Sequence, residues 1–594
     1  MKYLSWLISP ISRNFVFFTA LYILGVTTTI LDCVGLNFKI PRFNFVSYIF
    51  DLYIVCLFVM VFPQKVRTVI KFFISAFSYI LSLINTFCVE VFHARIGPEI
   101  LNVVLETNQR EASEFAEQHF SFRLLSSGVG IILLLLLFHG IIALYYDNIC
   151  RRLKQNMLLL FGKTGRNIII ICLSSLVLLS FYICGISRIR VVQLVCSSSV
   201  EEVDMYINNY SENTPLNHLL YSIKMRQLAN KGLRELANSQ LDVKIDSCSY
   251  VSNNIVLIVG ESYIKSHSQL YGYKLPTTPR QVHRTEKTTG GCLIPFSNVV
   301  SPSNLTSIVF KNFFSLHSMD DSSSFSKQPL FPVLFKKAGY QVTFITNQFV
   351  PSLSTDIFNF SGGLFLNEPK LSHLMFSRRN TKTHKYDLDL LADYDSLRQF
   401  KSEHQLTIFH LAGQHIYFDK RFPSEYKKFV ISDYTDRNDL SLEERQTVAD
   451  YDNATLYNDF VVDSILRAFE KEDAVVIYMP DHGEECYDEI KRVGRMPGGN
   501  YAPEVLRQEY RIPFWIWCSK SYIDNHPQIF NQIKSACNRP FMTDDLPHLL
   551  LYLAGIHCKY YSDKRCLISD CFDETRKRQI GGQVDYDKIV NVEY

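Results

Sequence analysis

The segment Met479-Pro480-Asp481-His482-Gly483-Glu484-Glu485 follows an apolar run, Ala474 to Tyr478, that reads as a buried strand. A carboxylate and an imidazole side by side at a strand's carboxyl end supply the oxygen and nitrogen donors that bind a divalent metal. A second apolar run, Ile255 to Val259, ends in Gly260-Glu261-Ser262 and brings another carboxylate to what could be the same edge of the same sheet. Each of these fits an ordinary polar loop when taken singly. Together they predict a divalent metal site.

Between them lies a polar loop, Val299-Val300-Ser301-Pro302-Ser303-Asn304-Leu305-Thr306-Ser307, ahead of a helical-looking segment, Ile308 to Leu316. A hydroxyl in that place normally caps the helix by accepting a backbone N–H, and position alone favours that reading. The same place also welcomes a phosphoryl group, because free N–H donors and the helix dipole favour an anion there.

The elements that must position these groups are short apolar runs separated by helical stretches: Asn254 to Val259, Val342 to Ile345, Leu406 to Leu411, Ala474 to Met479 and Ile512 to Trp517. Alternation of this kind predicts βαβ units and a mostly parallel sheet, whose ligands gather outside the carboxyl ends of the strands. The first four runs end in Glu261, in Thr346-Asn347-Gln348, in Gly413-Gln414-His415 and in Asp481-His482. A histidine such as His415 is by itself an ordinary polar residue; its place on a shared rim gives it weight.

The first third of the chain differs in character. Five apolar stretches, Phe15 to Leu36, Phe45 to Phe62, Val69 to Phe92, Leu124 to Tyr146 and Ile168 to Ile186, approach the ~20 residues that a bilayer demands. Basic residues crowd alternate connections: Lys2 and Arg13, then Lys65 and Arg67, then Arg151, Arg152, Lys154, Lys163 and Arg166. An excess of this kind marks the cytoplasmic side. An odd number of spans starting inside puts everything after about residue 188 on the far side. The expected organisation is a transmembrane domain over 1–188, a helical linker resting near the membrane over 189–245, and an extracytoplasmic α/β domain over 246–594. The first apolar run is long and lacks a small-residue cleavage pattern, so it is expected to remain as an anchor. Nine cysteines fall in the outer part, and an oxidising compartment permits disulfides; Cys537, Cys558, Cys566 and Cys571 are the cluster where they are expected. A net charge of +3, summed over both sides of a membrane, says little, and no nucleic-acid partner is expected.

The combination resembles the membrane-anchored phosphoethanolamine transferases of the alkaline phosphatase/sulfatase superfamily, including those that modify lipid A and lipopolysaccharide core sugars. The likeness rests on the five spans, on Ile258-Val259-Gly260-Glu261-Ser262 continuing to Leu270-Tyr271-Gly272-Tyr273 and Thr277-Thr278-Pro279, on the Ser-rich loop holding Thr306, on His410-Leu411-Ala412-Gly413-Gln414-His415 with Lys420-Arg421-Phe422-Pro423 after it, on Tyr451-Asp452-Asn453 with Leu456-Tyr457, and on Asp481-His482-Gly483-Glu484. The resemblance implies a sulfatase-like fold in which Glu261, Asp481 and His482 bind Zn²⁺ and Thr306 completes the site as the nucleophile. Zinc acidifies a coordinated hydroxyl, which is otherwise almost wholly protonated near neutral pH. It further implies a covalent phosphoethanolamine-threonine intermediate made from phosphatidylethanolamine, and an acceptor that is lipopolysaccharide or another envelope glycan. His415 would contact the transferring phosphate or a second zinc ion, and could protonate the departing oxygen. Asn108 and Glu111, in the loop between the third and fourth spans, would bind the ethanolamine headgroup. The location implied is a bacterial inner membrane, with the catalytic domain in the periplasm.

This chain departs from the family pattern in two places. Many relatives carry a further histidine shortly after Asp-His-Gly-Glu, whereas nothing between His482 and His526 is histidine here, and Arg495 is expected to serve the phosphate pocket instead. The lipid A enzymes flank the nucleophile helix with cysteines, whereas only Cys292 lies near Thr306, so core sugars fit as acceptor at least as well. The alternatives are a phosphoglycerol transferase resembling lipoteichoic acid synthases, against which the Thr107-Asn108/Glu111-Ala112 loop argues, and a noncatalytic membrane sensor or scaffold.

Overall fold

A computed structural model of the chain describes residues 2–36, 44–92, 95–97, 125–197, 214–286, 290–321, 325–348, 350, 364–400, 402–495, 501–581 and 584–590. It divides into two compact units, Met1–Lys231 and Gly232–Tyr594.

Among the described residues of the first unit, four helical stretches are long and apolar enough to cross a membrane: Phe15–Gly35, Gln64–Phe92, Gly128–Tyr145 and Asn167–Cys184. The expected second span is a shorter apolar helix, Phe45–Met60. Pro63 biases Phe62 away from helical geometry, which ends that helix short of the ~20 residues needed to cross a bilayer upright. The last two stretches lie in one helical run, Gly128–Cys196, yet Ile132 and Val177 share a buried cluster with Phe17, Phe18, Leu21 and Leu24. Leu134, Leu137, Phe138, Leu178 and Tyr182 point outward and are exposed, which suits hydrocarbon and would be unfavourable in water. Inside the bundle the carboxylate of Asp32 accepts from Asn85 Nδ2 at 2.7 Å and faces Arg95 at 3.5 Å, so the buried charge is satisfied within the unit.

The second unit is built on seven main-sheet strands: β1 (Asn254–Gly260), β2 (Gly291–Phe296), β3 (Gln341–Thr346), β4 (Arg378–Arg379), β5 (Gln405–His410), β6 (Ala474–Pro480) and β7 (Phe514–Ser519). Their order is β2-β7-β6-β1-β5-β3-β4. The run from β6 to β4 is parallel, whereas β7 is antiparallel to both β6 and β2. The sheet is therefore mixed, with a parallel centre as expected and an antiparallel flank that the apolar pattern did not reveal. Pro295 explains why β2 escaped notice: a residue without an N–H suits only an edge strand, and β2 is the edge.

Both faces of the sheet are covered. Ile255, Leu257 and Val259 of β1 join one buried cluster with Ile477 and Val342, while Val256 and Ile258 join another with Val476 and Phe409. Burial on both sides makes the central strands read as unbroken apolar runs. A 28-residue helix, Leu442–Phe469, supplies much of the second cluster through Ala454, Tyr457, Val461, Val462, Ile465 and Phe469. It starts with a reciprocal cap, Glu444 N to Ser441 Oγ at 3.2 Å and Ser441 N to Glu444 Oε2 at 2.7 Å.

The expected disulfide cluster does not form. Cys537, Cys558, Cys566 and Cys571 are all free thiols.

One polar bridge ties the sheet edge to this long helix. His267 lies 2.6 Å from Asp452 Oδ1 through Nδ1 and 3.1 Å from Asp488 through Nε2, while Tyr273 and Tyr434 donate to Asp452 Oδ2 at 2.8 and 2.5 Å. Burial alone would lower the His267 pKa from its usual 6.5, but the carboxylates of Asp488 and Asp452 outweigh it and hold the value at about 10. A pKa raised in the folded state contributes stability fully below the unfolded value and loses it as pH rises through the folded one. The unfolding midpoint of the protein should accordingly decline between about pH 6.5 and pH 10, and His267→Gln should remove that part of the decline; thermal denaturation across this range measures both.

Candidate metal centre and active site

Strand register explains why ligands distant in sequence meet. Val259 pairs with Met479 and Gly260 with Pro480, so Glu261 and Asp481 leave adjacent parallel strands at the same level. His482 follows directly. All three are buried, and each offers one ligand atom within 4.8 Å of the others.

The local backbone aims these atoms. Asp481 Oδ1 accepts from the N–H groups of His482 at 2.8 Å and Ser262 at 3.2 Å, leaving Oδ2 without a hydrogen-bond partner. Glu261 Oε1 accepts from Ser262 Oγ at 2.8 Å, and Oε2 accepts from Gln348 Nε2 at 3.1 Å. Nδ1 of His482 donates to the carbonyl of Gly483 at 2.7 Å, which fixes the tautomer and turns the Nε2 lone pair inward. That nitrogen is 3.0 Å from Asp481 Oδ2, 3.4 Å from Glu261 Oε1 and 3.2 Å from Thr306 Oγ1. Three acceptor-bearing side chains and a hydroxyl thus converge on one point.

Two devices hold the geometry. Ser262 has φ +54°, a left-handed conformation that costs a non-glycine residue about 1 kcal/mol. Tyr451 clamps that turn by donating to Ser262 O at 2.9 Å and accepting from Ile264 N at 2.7 Å. Opposite it, Gly413 has φ +50°, and a Cβ there would lie 2.9 Å from Glu261 N; only glycine allows the β5 end so close to the ligand.

Burial, and then the Asp481 charge, push the Glu261 carboxyl up. Asp481 is held well below the usual carboxylate range, since His482 and Arg495 overcome its burial. The His482 imidazole is raised despite burial and Arg495, because Asp481 and Glu261 stabilise its charged form. Two buried carboxylates at this distance require positive charge between them. A donor set of two carboxylates, one imidazole and a hydroxyl fits Zn²⁺ in four-coordinate geometry.

Thr306 opens the Thr306–Phe314 helix, but it does not cap it: the N-cap position is Leu305, with no side-chain cap bond. The hydroxyl faces His482 instead. Arg495 places Nη1 2.5 Å from His482 Nε2 and donates to Asn304 O at 3.1 Å, with Glu484 at 3.6 Å. His415 is partly exposed beyond β5; burial, then Arg421 and Arg495, push its pKa well down, so it is neutral. Asn108 and Glu111 lie outside the described residues.

The structure adds groups that pattern reading did not single out for the centre. Gln348 and Ser262 hold the Glu261 carboxylate, Tyr451 holds the strained turn, and Asp387 accepts from the N–H groups of Ala412 and Gly413 at 2.9 Å each. The polar ends of β1 and β3 hinted at Ser262 and Gln348; Asp387 lies in a loop with no comparable signal.

A family model described as Sulfatase matches residues 253–556. The chain belongs to the sulfatase family. Among its relatives, the phosphoethanolamine transferase EptC of Escherichia coli O18:K1:H7 (strain RS218 / NMEC) is 26% identical over 546 residues, covering 89% of this chain and 88% of that one. The phosphoethanolamine transferase EptA of Helicobacter pylori is 29% identical over 285 residues, 47% of this chain and 50% of that one. The solved integral membrane protein lipooligosaccharide phosphoethanolamine transferase A (EptA) from Neisseria meningitidis shares the fold, with a TM-score of 0.57 at 18% identity, covering 93% of this chain and 97% of that one.

Removing one ligand should empty the centre while leaving its surroundings folded. Glu261→Gln and Asp481→Asn should each lower bound zinc in the purified protein by about tenfold or more, measured by mass spectrometry of the metal with circular dichroism to report folding. Full zinc occupancy in both variants would remove these residues from the ligand set.

Proposed function

We propose that this protein transfers phosphoethanolamine from phosphatidylethanolamine to an envelope glycolipid or glycan, lipid A or a lipopolysaccharide core sugar, by way of a covalent intermediate on Thr306. The observation that carries the reading is the meeting of the Thr306 hydroxyl with His482 at 3.2 Å, beside the carboxylates of Asp481 and Glu261. Relatives that align with 89% of the chain and are named phosphoethanolamine transferases support it.

Glu261, Asp481, His482 and Thr306 are the residues that would hold zinc. When bound, zinc supplies Lewis-acid charge that favours the ionised hydroxyl near neutral pH. In the first half-reaction Thr306 Oγ1 bonds to phosphorus, the bond to the diacylglycerol oxygen breaks, and diacylglycerol leaves carrying a proton. In the second, an acceptor oxygen displaces Thr306 and restores its hydroxyl. Two steps replace one difficult exchange between two lipidic substrates.

Arg495 stands at the Thr306 end of the centre, where a guanidinium matches the oxygens of a phosphoryl group. Burial, then Arg421 and Arg495, lower the His415 pKa, which favours a base that takes the proton lost by the attacking acceptor. The role expected from the resemblance, protonating the departing oxygen, needs the charged form that Arg421 and Arg495 disfavour. The membrane-spanning helices of the same chain keep the enzyme in the plane of both lipids, raising their effective concentration. The corresponding location is an inner membrane, with the second unit in the periplasm.

Incubation with phosphatidylethanolamine should place a phosphoethanolamine adduct on Thr306, found by peptide mass spectrometry, and Thr306→Ala should abolish transfer with folding kept. An adduct on another residue, or full activity in Thr306→Ala, would refute the reading. A glycerophosphate adduct obtained only with phosphatidylglycerol would transfer the assignment to that donor.

A further inference from the structure

The sulfatase-like site explains Glu261, Thr306, Asp481 and His482, but not the convergence of three other segments beside it. His267 stands on the loop that follows Glu261, Asp452 on the long helix, and Asp488 on the excursion between His482 and Arg495. The excursion is a hairpin of two short antiparallel strands, Glu485–Cys486 and Val493–Gly494. It leaves the site after Glu484 and returns to it at Arg495.

Two-residue strands cannot hold such a hairpin alone. The return strand is tied by Arg492 to Glu509, and the turn by Arg437 to Tyr487 O. Glu489 adds ties to Arg507 and Gln508, and Gln508 accepts from Ser266 Oγ on the loop that carries Glu261 at 3.1 Å. His267 makes the direct link from that loop to the hairpin: one ring nitrogen meets Asp452 at 2.6 Å and the other meets both oxygens of Asp488 at 3.1 Å. The imidazole is buried, and Tyr273 and Tyr434 complete the hydrogen bonds of Asp452. A rigid ring with donors at opposite ends suits a spacer whose two partners must stay in register.

We propose that His267 is a positioning residue for Arg495: by bridging Asp452 to Asp488 it fixes the hairpin that returns the guanidinium to the Thr306 end of the site. It touches no substrate and no metal ligand. The effect on turnover rests on the phosphoryl-transfer reading above, but the effect on the hairpin does not.

The test compares wild type, His267→Gln and Asp488→Ala by hydrogen–deuterium exchange of the full-length protein in detergent, by zinc content, and by steady-state transfer from phosphatidylethanolamine. Asp488 is partly exposed at the hairpin turn, so its truncation spares the buried half of the bridge if His267→Gln fails to fold. The expected result is faster exchange confined to peptides spanning 485–495, unchanged zinc content, and kcat reduced by about 100-fold, as a displacement of about 1 Å at a reacting centre produces, with KM for the donor little changed. Wild-type exchange in 485–495, or faster exchange spread over the whole second unit, would overturn the proposal. So would full kcat in a variant whose hairpin has loosened. If wild type itself transfers nothing, the reaction reading fails, and exchange over 485–495 still decides whether His267 holds the hairpin.

Discussion

The Glu261 and Asp481 carboxylates are buried beside each other with one imidazole between them. Such a pair is unstable unless positive charge sits between them, because the low dielectric that removes water also strengthens their repulsion. The surrounding chain supplies partial answers. Backbone N–H groups saturate one oxygen of Asp481, Gln348 and Ser262 hold Glu261, and the guanidinium of Arg495 approaches His482. None of these takes the central position toward which Asp481 Oδ2 and His482 Nε2 point. The same converging charge suits a small divalent cation.

From this constraint follows the strain around it. Ser262 occupies a left-handed conformation, and Gly413 passes close enough to Glu261 to exclude a Cβ. Strain of this kind persists only where the surroundings over-determine it. Here the Tyr451 clamp, the Asp387 cradle under Ala412 and Gly413, and the two-sided packing of β1, β5 and β6 do so. The sheet's stability is thereby spent on holding three ligand atoms still.

Much of this was legible in the sequence, and the reasons are physical. The central strands are buried on both faces, so Ile255 to Val259 and Ala474 to Tyr478 read as apolar runs, and their ends point to Glu261 and Asp481-His482. The metal cluster needed only those ends and the inference of one sheet edge. What could not be read lies where pattern carries no signal. β2 is masked by Pro295, the antiparallel course of β7 leaves no mark in composition, and the apolar stretch at Phe45 looks like a full span until Pro63 shortens its helix. The hydroxyl of Thr306 looked like a helix cap on position alone; only tertiary structure turns it to His482. Gln348 and Asp387 act through contacts with segments far away in the chain, and a single sequence does not record such pairings. The expectation of Thr306 as nucleophile and of lipid and glycan substrates came from the resemblance to phosphoethanolamine transferases, not from spacing.

The most direct test of the centre is X-ray absorption at the zinc edge of the purified full-length protein. Convergence of Glu261, Asp481, His482 and Thr306 predicts a four-coordinate shell of one imidazole nitrogen and three oxygens at about 2.0 Å, with no sulfur. A sulfur-containing shell, a shell of several imidazoles, or a fully hydrated ion would contradict it.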